Sequence, residues 1–106
     1  MATIRANAGI ITQINVFTAP PLGGQQPLIE VLTEAAAWAR EEPGWLSASF
    51  HKSLDGTRGV NYAHSANRAS AEAIIGRLKQ AGFLDRNKAY GEAHAGLYEV
   101  IATCSR

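Results

Sequence analysis

Pro43-Gly44-Trp45-Leu46-Ser47-Ala48-Ser49-Phe50-His51, followed by Asp55-Gly56-Thr57 and Val60-Asn61-Tyr62-Ala63, holds a helix stop, a strand, a turn and a second strand in one short run. Pro43 has no N–H to extend a preceding helix, and Gly44 tolerates the dihedrals that release the chain. From Trp45 to His51, large and small side chains alternate with period two, as a strand with two unlike faces requires. Asp55-Gly56 is a hairpin signal in which both turn residues are expected at positive φ. Asn61 and Tyr62 then point to opposite faces of a sheet.

Outward from this hairpin the chain alternates element types without a linker or a repeat. Ile10 to Phe17 (IITQINVF) is rich in β-branched residues and reads as a first strand. Residues 18–26 carry Pro20, Pro21, Gly23 and Gly24, a loop composition. Pro27 suits a first helical turn, where its missing N–H is not needed. Leu28, Val31, Leu32, Ala35, Ala36 and Ala39 recur at helical spacing, which predicts an amphipathic helix over 27–42. The hairpin strands fall at about 45–53 and 57–65. Asn67 or Ser65 caps a second helix through Lys79, with Ile74, Ile75 and Leu78 on its buried side and Gly82 after its end. A short helical piece over 83–90 leads to a last strand, 92–104, containing Leu97, Tyr98, Val100 and Ile101.

The order βαββαβ predicts a single domain over 1–106 of the ferredoxin-like α+β class, an antiparallel sheet with helices on one face. The other sheet face then needs a cover. Ile10, Ile14 and Val16 share one side of strand one, while Ile11 and Phe17 lie on the other. A strand apolar on both sides is buried on both sides. A second subunit is the simplest cover, so a homodimer packed sheet against sheet is expected, with Tyr62 near the contact.

Composition narrows the function classes. The formal charge is +1, with no Lys/Arg block, so no nucleic acid partner is expected. No apolar run approaches a transmembrane span, so no membrane partner is expected either. No signal peptide is read at the N-terminus. Cys104 is the single cysteine and cannot form an intramolecular disulfide; its use fits a reducing, cytoplasmic setting. Hydrophobic residues at 46% against 18% charged leave an apolar excess for an interface or a pocket.

On Trp38, Arg40-Glu41, Pro43-Gly44 through Ala48, His51, Asp55-Gly56-Thr57 and Val60-Asn61-Tyr62-Ala63, the chain resembles the antibiotic biosynthesis monooxygenase (ABM) domain family of the dimeric α+β barrel superfamily. Within it the chain is most similar to the actinorhodin-type anthrone monooxygenase group. The resemblance covers about residues 9–103 and is sharp from Trp38 to Ala63. It implies oxidation of an aromatic polyketide (an anthrone) or a quinol by O2 without flavin, haem or metal. It also implies a dry pocket between helices and sheet whose donors stabilise a developing oxyanion. Asn61 matches the family's pocket asparagine, the expected catalytic residue, and Trp38 matches a tryptophan of the pocket wall. The chain departs from the pattern at Ser65, where the family usually carries tryptophan, and at Ala71, where the polyketide enzymes carry tyrosine. Arg77 and Arg86 both stand near the place of a family arginine.

Each of these residues also has a plainer reading. Asn61 either contacts a ligand or satisfies a loop backbone, because an asparagine in a β-rich run needs a partner for its amide. Trp38 serves the core or the substrate wall. Asn15, polar in an apolar strand, is a second candidate for substrate contact, as is Ser65. Haem-degrading relatives use a first-strand asparagine together with a helix-borne histidine, and no histidine lies between Ala66 and Gly91. His51 and His64 sit on the two hairpin strands and can meet across it, with His94 further off; nothing in that spacing demands a metal site. Gly23-Gly24 lacks the lysine and spacing of a phosphate loop. The expected function is a cofactor-independent monooxygenase-like enzyme. The alternative is a non-catalytic small-molecule-binding or structural dimer of the same fold.

Overall fold

The computed structural model describes residues 4–19, 24–89 and 92–106. Its element order is β1 (Ile11–Thr18), α1 (Gln26–Ala39), β2 (Trp45–Lys52), β3 (Arg58–Ser65), α2 (Arg68–Gln80), α3 (Phe83–Lys88) and β4 (Glu92–Glu99). The four strands form one antiparallel sheet in the order β2-β3-β1-β4. This is the ferredoxin-like α+β arrangement expected from the order of elements. Pro20, Pro21 and Gly23 of the expected loop, and Tyr90 of the expected short helix, lie outside the described residues.

α1 begins where expected, with Pro27 in its first turn, and buries Leu28, Val31, Leu32, Ala35 and Ala39. Gln25 ties its start to the hairpin: the side-chain amide donates to the Ser53 carbonyl at 2.9 Å and the Arg58 carbonyl at 2.7 Å. The helix ends three residues before the expected 42. Gly44, at φ +84°, then turns the chain into β2, and a Cβ there would collide with the Ser70 side chain of α2. α2 is capped by Asn67, whose side chain accepts from the Ser70 N–H at 2.8 Å. Its buried residues are Ala71 and Ile74, whereas Ile75 and Leu78 are only half-buried.

Phe17, Leu28 and Leu32 form the fully packed centre, with Phe50 against them. Gly59 lets α1 settle onto the sheet, since a Cβ there would approach the Leu28 side chain to 2.8 Å.

Three expectations are corrected. In the hairpin turn only Gly56 has positive φ, at +81°, and Asp55 does not. The connection from Ser53 to Thr57 is longer than a two-residue turn, so Asp55 acts as a hydrogen-bond acceptor there instead. The alternation from Trp45 to His51 is broken by a register irregularity between Trp45 and Ser47. Trp45 therefore shares the helix-facing side with Ala48 and Phe50. The last strand stops at Glu99 rather than at 104.

Candidate active site

The side of the sheet beneath the helices carries Gln13, Asn15 and Phe17 from β1 and Asn61, Ala63 and Ser65 from β3. Asn15 and Asn61 are directly opposed in register, as are Gln13 and Ala63. These residues form the floor of a cavity of about 50 Å³, the inner part of a cleft with about 630 Å³ of empty space counted out to open solvent. The roof comes from Leu32, Ala35, Ala36 and Ala39 of α1, Ala71, Ile74 and Leu78 of α2, and Phe83, Leu84 and Asn87 of α3 and its start. Trp45 and Ala48 of β2 complete one side.

The cavity exists because facing positions are small. Ala35, Ala36 and Ala39 meet Ala48 and Ala63 where larger aliphatic side chains would interdigitate and close the gap. Ser65 and Ala71, the two departures from the family pattern, both line it. Trp45 is the register partner of Ser65, so an indole stands beside the small residue, supplied by the neighbouring strand.

Its polar groups are unusual in kind. Asn15 and Asn87 are 7% and 6% exposed, and the side-chain oxygens of Asn15, Asn61 and Asn87 are all buried without a hydrogen-bond partner. An unmet buried polar group costs about 1–3 kcal/mol. Such sites are normally satisfied by water or a ligand, and this cavity exceeds the 10–15 Å³ that about one water requires. None of the described lining residues is ionisable. The cavity can therefore orient and hydrogen-bond a neutral or anionic oxygen, but its described walls supply no proton acceptor of their own.

Asn15, Asn61 and Ser65 are thus brought together, and Trp38 is not. Trp38 lies on the outer side of α1, 39% exposed, with its ring centroid 5.8 Å from that of Phe83. It backs a lining residue without lining the cavity itself. Asn87 was missed by sequence reasoning because α3 is too short to show a periodic face; the only signal was an asparagine in an otherwise charged turn. Neither candidate arginine lines the cavity. The Arg86 guanidinium donates to both carboxylate oxygens of Glu34, at 3.2 and 2.7 Å, and lies 5.2 Å from the Phe83 ring centroid. That hydrogen bonding holds the Glu34 carboxyl below its ordinary range. Arg77 pairs with Glu42 at 3.1 Å.

The histidines lie elsewhere. His51 pairs in register with Val60 and His64 with Ser47, so the hairpin does not set them opposite each other. His64 is buried on the helix-free face, its ring centroid 5.1 Å from that of Tyr62. Among the described residues no group of three His, Cys, Asp or Glu side chains could hold a metal ion.

Comparison with known proteins sets this geometry in context. No family model matches the chain. It is 34% identical over 74 residues to tetracenomycin-F1 monooxygenase of Streptomyces glaucescens, a match over 70% of this chain and 66% of that protein. In sequence and fold the chain resembles the antibiotic biosynthesis monooxygenases. Solved structures share this fold over about nine tenths of the chain. SnoaB of Streptomyces nogalater, a cofactor-independent oxygenase, superposes with TM-score 0.81 at 19% identity, over 93% of this chain and 100% of that one. The ActVA-Orf6 monooxygenase of Streptomyces coelicolor, in complex with nanaomycin D, superposes with TM-score 0.71 at 23% identity, over 93% of each chain. The match to the curated relative thus spans just under two thirds of its length, and the likeness to the two solved structures is one of fold. Among the described residues no helix is long and apolar enough to cross a membrane.

Proposed function

We propose that this chain is a cofactor-independent monooxygenase acting on an aromatic polyketide, an anthrone or a quinol, with O2. The observation that carries the reading is the pair of opposed carboxamides, Asn15 and Asn61, with unmet buried oxygens in a cavity whose described lining carries no ionisable group. The named activities of the relatives agree with it.

For an anthrone, the ring methylene loses a proton and its charge is delocalised onto the ring oxygen. The Asn61 amide N–H donates to that oxygen, and Asn15 holds a neighbouring hydroxyl. The proton leaves to solvent, because no described lining residue can accept it. The electron-rich anion reduces O2, and the two radicals combine at the ring carbon as a peroxide. Loss of water leaves a carbonyl, so that CH2 and O2 become C=O and H2O. The substrate anion is the reductant, so flavin, haem and metal have no step to perform. Fixed amide dipoles in a water-poor cavity stabilise the developing charge without reorganising. Trp45 supplies the indole wall beside Ser65.

The lack of a proton acceptor among the described lining residues favours a second reading, a non-catalytic dimer that binds the same class of ligand. Oxygen uptake with 1,8-dihydroxyanthrone separates the two. Uptake well above the spontaneous rate, undiminished by exhaustive dialysis against EDTA, supports the enzyme. Uptake at the spontaneous rate across a panel of anthrones and quinols leaves the binding dimer.

A further inference from the structure

The sheet floor and the helical roof of the cavity each carry a buried carboxamide with an unmet oxygen. Asn15 and Asn61 lie side by side on the floor, and Asn87 approaches from α3. The two buried polar atoms without a partner elsewhere among the described residues, Thr12 Oγ1 and His64 Nε2, are on the other face of the sheet. The unmet hydrogen bonding on this side is therefore concentrated on one space and reaches it from two directions. Each carboxamide offers both an acceptor and a donor end. None carries charge, and no cation stands in the described lining to balance a carboxylate.

We infer that Asn87 is a specificity-determining residue that reads a second oxygen substituent of the ligand. The site then selects a neutral ring system with hydroxyl groups on two separate edges, the second donating to the Asn87 oxygen. This rests on the reading of the cavity as an aromatic-substrate site, though not on turnover. One edge meets Asn15 and Asn61; the other meets Asn87. A ligand lacking the second oxygen leaves Asn87 buried and unmet, which is the arrangement by which a polar site rejects an analogue lacking its hydrogen-bonding group. A carboxylate on the ring enters a cavity with no counter-charge and loses its hydration.

Anthraquinones test this directly, because their central carbons are already oxidised and binding is read apart from catalysis. In calorimetric titrations of the full chain, 1,5-dihydroxyanthraquinone, with a hydroxyl on each long edge, is expected to bind about tenfold or more tightly than 1-hydroxyanthraquinone, which lacks the second one. It is also expected to bind more tightly than the same ring with a carboxylate added. Asn87→Leu is expected to remove most of the preference for the second hydroxyl while 1-hydroxyanthraquinone binds as well or better. Equal loss for both ligands, an unchanged preference, or tighter binding of the carboxylated ring overturns the inference. If Asn87→Leu does not fold, Asn87→Ser is titrated instead, and the wild-type ranking of the three ligands stands as a test in its own right. Binding with the expected ranking but no oxygen uptake would sink the oxygenase reading and keep this one. Uptake with no preference among the ligands would do the reverse.

Discussion

At the residue scale, Asn61 occupies a strand position where a β-branched side chain would be favoured. Its oxygen finds no partner among the described residues. That oxygen makes no hydrogen bond for the fold and is available to a ligand. Asn61→Ala is therefore expected to leave the melting temperature nearly unchanged while lowering turnover about 10²–10³-fold, roughly 2.7–4 kcal/mol of barrier. A large drop in melting temperature with normal turnover would return Asn61 to a structural role. Gly59 shows the opposite kind of constraint. Its missing side chain admits Leu28, which is 0% exposed, so Gly59→Ala must push the helix off the sheet or force a new rotamer. Overpacking of this sort costs about 1–3 kcal/mol, readable by chemical denaturation. Asn61 and Asn15 were legible in the sequence because a polar residue in a strand stands out against a two-residue period, whereas Ser65 was marked only by the family resemblance. Trp45 went unread as a wall residue because the irregularity after it resets that period, and no residue type announces it.

At the element scale, the β2–β3 hairpin is held by its turn as much as by its ladder. Asp55 accepts from the Thr57 hydroxyl at 2.7 Å, the Thr57 N–H at 3.0 Å and the Ser53 hydroxyl at 2.8 Å. These bonds, the Thr57 hydroxyl foremost, lower its carboxyl from 3.8 to about 2. A carboxyl with a depressed folded-state value stabilises the fold at pH above its unfolded value, and that contribution fades as pH falls towards the folded one. Wild type is thus expected to lose melting temperature more steeply between pH 4 and pH 2 than Asp55→Asn. Parallel slopes for the two proteins would contradict this. The strands and the two longer helices were readable from apolar spacing, Pro27, Asn67 and Gly82, because local chemistry decides them. The end of β4 was not, since residues beyond Glu99 keep a strand-like composition and what stops them is the loss of a neighbour to pair with. The cavity was invisible for a related reason. Alanines at helical spacing read as a packed face, and only the alanines across from them reveal a gap. Ala63→Val should fill that gap, preserving or raising the melting temperature while weakening the binding of 1,8-dihydroxyanthraquinone. Unchanged affinity would place the ligand elsewhere.

At the scale of the whole molecule, the helices cover one face of the sheet and leave the other to its own side chains. Ile14, Val16, Val60 and Tyr62 are only half-buried on that face, and Tyr98 on the edge strand is 53% exposed. Thr12 and His64, register neighbours there, keep unmet hydrogen bonds. A contiguous apolar face on a small domain is normally an interaction surface. We expect a homodimer packed through this face, as the two-sided apolar character of β1 requires. An obligate contact of this kind should bury more than about 2,000 Å² in total. Light scattering should give twice the chain mass at micromolar concentration. Ile14→Arg sets a charge in the middle of the face, on the strand that also carries Asn15 to the cavity but on its opposite side. The variant should sediment as a monomer, with a lower melting temperature that no longer rises with protein concentration. A wild-type monomer, or an Ile14→Arg protein that remains dimeric, would mean that this face has a different partner. Because Asn15 and Ile14 are adjacent on one strand, a monomeric Ile14→Arg protein that still binds 1,8-dihydroxyanthraquinone would show that each subunit completes its own cavity. Loss of binding along with the dimer would tie the site to the assembly.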